Sequence, residues 1–250
     1  MQKSTYILGT RIDCVTFEEA TTEAIRTLKG KSQQYFATPN PEITLAALKD
    51  EKYRKILNNS SLNIPDGMGL IYASRLLKIF GKTETALKER VTGTDLAIRL
   101  IELSHVEGFS IFFLGASEES NLKTVEYAKK HGAKIAGFYT EKLSSQECKR
   151  EIKKANPGLL LVALNFPRQE KWISENLNKL PSVKLAIGVG GAFDFIAGVR
   201  KRAPRTLRVL GLEWLYRLIQ EPRRTKRIFS AVVTFPMKIL MSSIFDKSLF

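Results

Sequence analysis

The chain has 250 residues, 44% of them hydrophobic and 26% charged, which supplies a sizeable core and excludes a disordered chain. A net charge of +15 points to anionic partners, while Cys14 and Cys148, the only cysteines, lie too far apart and too isolated for a disulfide framework or a zinc site. The opening residues lack the apolar core of a secretory signal, and no uninterrupted apolar run reaches spanning length, so a cytosolic location is expected for the bulk of the chain.

Short β-like runs then alternate with helical patterns. "QYFATP" precedes "EITLAALKDEKYRKILNN", and "SLNIPD" precedes "GLIYASRLLKIF". After the helical "TDLAIRLIELSH", "FSIFFLGA" precedes "EESNLKTVEYAKKHG" and "AKIAGFYT" precedes "SSQECKREIKKA". The series closes with "GLLLVALN", "RQEKWISENLNKL" and "VKLAIGVGG". Such alternation predicts βαβ crossovers, hence an α/β fold: a Rossmann-like, mainly parallel sheet with helices on both faces, occupying residues 1–199. His105 and His131 fall near helix ends, where capping or solvent exposure accounts for them.

In sheets of this kind ligands collect at the carboxyl ends of the strands. The loops there are "TPNPE" (38–42), "PDGMG" (65–69), "GASEES" (115–120), "NFPRQE" (165–170) and "GGAFDF" (190–195). Part of their composition is turn and cap chemistry: Thr38, Asn40, Thr94 and Ser117 suit N-caps, and Gly67, Gly69, Gly115, Gly190 and Gly191 suit tight turns. Asp66 follows a strand and precedes a glycine, which lets its carboxylate project into a cleft as a general base. Asp95, in the first turn of a helix, complements the helix dipole. The chain has no Asp-x-Asp pair, the simplest way to hold a divalent metal on a diphosphate. No metal or cofactor is therefore expected, and helix N-termini and arginines would carry that charge.

Residues 200–250 form a separate basic, amphipathic helical appendage, with twelve Lys and Arg against three acids. Leu207, Leu210, Trp214 and Leu218 recur at helical spacing, with Arg217, Arg223, Arg224 and Arg227 among or just beyond them. This is the chemistry of an interfacial helix. Pro236 and Lys238 interrupt the apolar stretch from Ile228 to Phe245, which favours lying on a membrane over crossing it. In solution the apolar stripe is expected to be covered by self-association or left disordered.

The stretches "ATPNPE", "IPDGMGL", "RVTGTDL", "FFLGA", "PRQEKWI", "GVGGAFDFIAG", "RAP" and "GLEWLYRLIQEPRR", in that order, resemble the WecG/TagA/CpsF family of bacterial glycosyltransferases over nearly the whole chain, most closely its TagA branch. One departure is Asn165 in "LNFPRQE", where the family pattern has glycine.

The resemblance implies inverting transfer of N-acetylmannosamine from its UDP conjugate to undecaprenyl-diphosphate-linked N-acetylglucosamine, making a β-1,4 linkage in wall teichoic acid synthesis. It implies Asp66 as the base, Thr38, Asn40 and Gln169 orienting the sugars, and Arg90 at phosphate or substrate. Gly67, Gly115, Gly190, Gly191 and Asp194 would line the donor cleft, and Arg217, Arg223 and Arg224 would hold the acceptor diphosphate at the inner face of the cell membrane. A transferase using the corresponding uronic acid donor and a basic nucleic-acid-binding protein are the alternatives. The second leaves the apolar residues threaded through the charge unexplained. A nucleotide-dependent oxidoreductase lacks its spaced three-glycine fingerprint here.

Overall fold

A computed structural model describes residues 3–140, 145–209, 211–220 and 225–245. The chain opens with an antiparallel hairpin, β1 (Ser4–Ile7) and β2 (Thr10–Asp13), turned at Leu8 and Gly9 with φ of 51° and 75°. Two left-handed residues match the twist of a two-residue hairpin, but a leucine does not announce that turn in the sequence. Helix α1 (Phe17–Lys29) starts with a Thr16–Glu19 capping box.

The six β-like runs form one parallel sheet. Its strands are β3 (Gln34–Ala37), β4 (Leu62–Asn63), β5 (Ile111–Gly115), β6 (Ile135–Tyr139), β7 (Leu159–Ala163) and β8 (Leu185–Gly188), in the spatial order β4-β3-β8-β7-β5-β6. Between them run α2 (Pro41–Lys49), α3 (Glu51–Asn58), α4 (Met68–Ile79), α5 (Gly93–Glu107), α6 (Glu118–Lys130), α7 (Gln146–Ala155) and α8 (Arg168–Asn176), and α9 (Ala192–Ile196) follows β8. The strands are apolar on both faces because both are covered. Ile111, Phe113, Leu161 and Ile187 pack with α1, α5, α6 and α9 on one side, while Phe112, Leu114, Leu160 and Val162 pack with α7 and α8 on the other. Cys14 and Cys148 are buried free thiols.

"EITLAALKDEKYRKILNN" reads as one helix but is two. Asp50 leaves the helical region at φ −125°, ψ 97°, and its carboxylate accepts from the Tyr53 amide at 3.0 Å to cap α3. The connections also fix where a crevice can open. From β5 the chain runs outward to β6, and from β7 it runs the other way to β8, so the loops part at the carboxyl edge.

The basic appendage is helical, as α10 (Arg205–Val209), α11 (Glu213–Gln220), α12 (Thr225–Phe229), a π-helical turn (Ser230–Thr234) and α13 (Phe235–Phe245). The π turn precedes Pro236, which has no N–H to give to the helical ladder. Part of the apolar stretch that follows Arg227 is buried by the chain itself. Ile228, Phe235 and Ile239 are buried, the last two in the core that the hairpin shares with α4. The remainder faces outward: Phe229, Met237, Met241 and Ile244 are each more than half exposed. Despite Pro236 and Lys238, Thr225–Ile244 is long and apolar enough to cross a membrane by length and composition.

Candidate active site

Asp66 lies between β4 and α4. Its amide donates to Pro39 O at 2.9 Å, tying the loop after β4 to the loop after β3. Its Oδ2 accepts from the Gly93 amide at 3.2 Å, at the start of α5, and its Oδ1 stands 3.9 Å from Arg90 Nη2. The side chain keeps 27% of its surface, so the carboxylate is oriented by backbone yet open to a reactant. Gly67 follows as the N-cap of α4.

Thr38 and the glycine turn meet beside this carboxylate. Thr38 caps no helix; its Oγ1 donates to Gly188 O at 2.8 Å, and it packs on Gly93, where a Cβ would lie 3.0 Å from Thr38 Cγ2. Asn40 is the N-cap of α2, accepting from the Ile43 amide at 3.0 Å. The expected cap at Thr94 is instead Thr92, whose Oγ1 accepts from the Asp95 amide at 3.0 Å. Ser117 caps α6 as expected.

Gln169 is only 2% exposed. Its Oε1 accepts from the Gly190 amide at 2.8 Å, and its Nε2 donates to Glu170 Oε1 at 2.7 Å. A Cβ on Gly188 would stand 2.9 Å from Gln169 Nε2, so a side chain there would push the Gln169 amide from its place. Glu170, 1% exposed, also accepts from Tyr53 Oη at 3.0 Å. Burial raises its pKa above the usual carboxylate value, although donation from Gln169, its own backbone and Tyr53 works the other way. Neither Glu170 nor Tyr53 stood out in the sequence.

The appendage completes the cluster around Asp66. Arg90 Nη2 donates to Glu213 Oε2 of α11 at 2.5 Å while lying near Asp66, and both side chains are largely buried. Arg202 Nη1 and Nη2 reach Asp95 Oδ1 and Oδ2 at 2.5 and 2.7 Å, a bidentate pair that gives Asp95 more than its dipole role. Burial opposes ionisation of Asp95, but the hydrogen bonds from Arg202 and Thr92 outweigh it and hold the carboxyl below its usual range. Arg227 donates to Glu42 Oε2 at 2.8 Å and stacks over Phe166 at 5.2 Å. A cleft of about 520 Å³ along α5 shares Arg90, Thr92 and Asp95 with this cluster.

The other expected site residues are spread along the sheet edge. Gly115, at φ 93°, lets the turn after β5 pass over β7: a Cβ there would lie 2.7 Å from Ala163 O. Gly190 holds φ 54°, and Gly191 faces open space. Asp194 is bound into the scaffold, accepting from Ser120 Oγ at 2.7 Å and pairing with Arg200 at 3.2 Å. Arg217 falls within α11, and Arg223 and Arg224 lie outside the described residues. Among the described residues, no three His, Cys, Asp or Glu side chains are grouped to hold a metal ion.

An open parallel sheet with an oriented, accessible carboxylate at its carboxyl edge, between glycine turns and arginines, is the frame of a Rossmann-like transferase. The chain belongs to the glycosyl transferase WecG/TagA/CpsF family, whose model matches residues 5–248. It is 36% identical over 197 residues to the N-acetylglucosaminyldiphosphoundecaprenol N-acetyl-beta-D-mannosaminyltransferase of Bacillus subtilis (strain 168), spanning 78% of this chain and 74% of that relative. The protein of the same name from Bacillus spizizenii is 33% identical over 199 residues, 78% of this chain and 75% of the relative. That of Staphylococcus aureus (strain MW2) is 30% identical over 237 residues, 90% of this chain and 87% of the relative.

Proposed function

We propose that this protein transfers N-acetylmannosamine from its UDP conjugate to N-acetylglucosamine carried on undecaprenyl diphosphate, with inversion to a β-1,4 linkage. The observation that carries the reading is the open carboxylate of Asp66, fixed by the Gly93 amide, in a chain whose relatives bear the name of that activity. Asp66 takes the proton from the acceptor hydroxyl as its oxygen bonds to the anomeric carbon. The bond from that carbon to the UDP oxygen breaks, and the leaving diphosphate is stabilised by backbone amides and arginines without a metal ion. Gly67, Gly115, Gly190 and Gly191 line the donor cleft, Thr38 and Asn40 frame the sugars, and Gln169 acts from behind the glycine turn.

The acceptor is anchored in a bilayer, so the site must be brought to that surface. The exposed apolar face of α12 and α13 supports peripheral docking on the cytoplasmic side, with Lys226 and Lys238 each adding about 1 kcal/mol of attraction to an anionic leaflet. Arg217, Arg223 and Arg224 are the proposed contacts of the acceptor diphosphate, because an arginine fork matches phosphate oxygens in pairs. The test is a panel of UDP-sugars offered with a short-chain lipid-diphosphate N-acetylglucosamine acceptor. Disaccharide product with UDP-N-acetylmannosamine is expected. Product only with the uronic acid donor, or with none of the panel, would refute the assignment.

A further inference from the structure

Four groups form a continuous hydrogen-bonded line from the core to the glycine turn. Tyr53 Oη on α3 donates to one oxygen of Glu170, and the other oxygen accepts from Gln169 Nε2. Gln169 Oε1 in turn accepts from the Gly190 amide. Thr38 holds the start of the same turn separately, donating to Gly188 O. Tyr53, Gln169 and Glu170 are each at most 2% exposed, so water does not compete for these bonds. The directions are also fixed. A carboxylate only accepts, so it selects the donating end of the Gln169 amide and turns the accepting end toward Gly190. Position in the fold favours this arrangement, because Glu170 lies in the first turn of α8, where a helix N-terminus favours negative charge.

We propose that Glu170, supported by Tyr53, is a positioning residue for the donor: by orienting the Gln169 amide it sets the 188–191 turn against Thr38 in the shape that receives the nucleotide-sugar. This rests on the reading of that turn as part of the donor cleft. Gln169 then acts as a bracket for the turn, and its loss would be felt through Gly190.

The experiment has one readout tied to that reading and one independent of it. Exchange of the Gly190 amide, followed by NMR in the protein without UDP, reports the bracket alone; the donor KM, with kcat, reports its consequence. Glu170→Ala leaves Gln169 Nε2 buried without its acceptor, and about tenfold faster Gly190 exchange and an about tenfold higher donor KM are expected, with kcat little changed. Glu170→Gln keeps an oxygen for Gln169 and a group for Tyr53 to bond, and it should restore both readouts to near wild type. Tyr53→Phe keeps the ring in the core and should give an intermediate, about threefold change in each, which serves if Glu170→Ala does not fold. Unchanged Gly190 exchange in the folded variants would overturn the bracket. Faster exchange with an unchanged donor KM would overturn its link to the donor. A wild-type protein that neither binds UDP nor uses a UDP-sugar would remove the reading on which that link depends, and the proposal with it.

Discussion

Arg90 and Glu213 are 123 positions apart and meet at 2.5 Å, with the same guanidinium 3.9 Å from Asp66. One side chain thus ties the appendage to the loop that holds the proposed base. The appendage is therefore packed against the loop that holds Asp66, and any effect of this contact on turnover can be measured apart from the proposed docking.

Glu213→Ala leaves Arg90 without its close partner in a largely buried place. Removing one member of such a pair costs more than an exposed bridge would, and transfer to a water-soluble diphosphate acceptor should fall by about tenfold or more. Steady-state kinetics without vesicles decide the matter, since docking plays no part there. A wild-type rate would show the pairing to be irrelevant to turnover.

The Asp95–Arg202 pair has a pH signature. A carboxyl whose folded pKa is depressed adds stability above its unfolded pKa, and that stability is lost as pH falls through the folded value. Asp95→Asn should therefore lower thermal stability near neutrality and narrow its difference from wild type in acid, below the ordinary aspartate range near about 3.9. Melting curves across pH give the comparison. A constant difference at every pH would mean that the loss comes from packing and not from charge.

Activity should persist in excess chelator. The proposed mechanism assigns the leaving diphosphate to amides and arginines. Initial rates with and without chelator, followed by magnesium or manganese addition, make the test. Complete loss restored by either ion would replace that part of the mechanism.

The sheet was legible in the sequence because each strand is an apolar run closed by turn formers, a pattern that survives without knowledge of its neighbours. The β1–β2 hairpin was not, since Leu8 sits in a left-handed turn position without an Asn-Gly signature. The break between α2 and α3 was hidden because apolar periodicity continues through Asp50. At the site, Asp66, Thr38 and the glycine turn could be grouped from the rule that ligands gather at strand carboxyl ends. The pairs Arg90–Glu213 and Asp95–Arg202 could not, because contacts spanning more than 100 positions leave no local pattern. The "GLEWLYRLIQEPRR" stretch marked Glu213's neighbourhood without its role. Gln169 was visible as a polar residue after a strand, but its burial together with Glu170 depends on α3 packing against α8.

The central claim is that Asp66 is the base in sugar transfer, and Asp66→Asn tests it most directly. The amide keeps the shape and can still accept from Gly93, but it cannot take the acceptor's proton. Transfer from UDP-N-acetylmannosamine, measured where chemistry limits the rate, should fall by about 10²- to 10⁴-fold. The UDP dissociation constant and the melting temperature should stay near wild type. A variant that turns over as fast as the wild type would contradict the account.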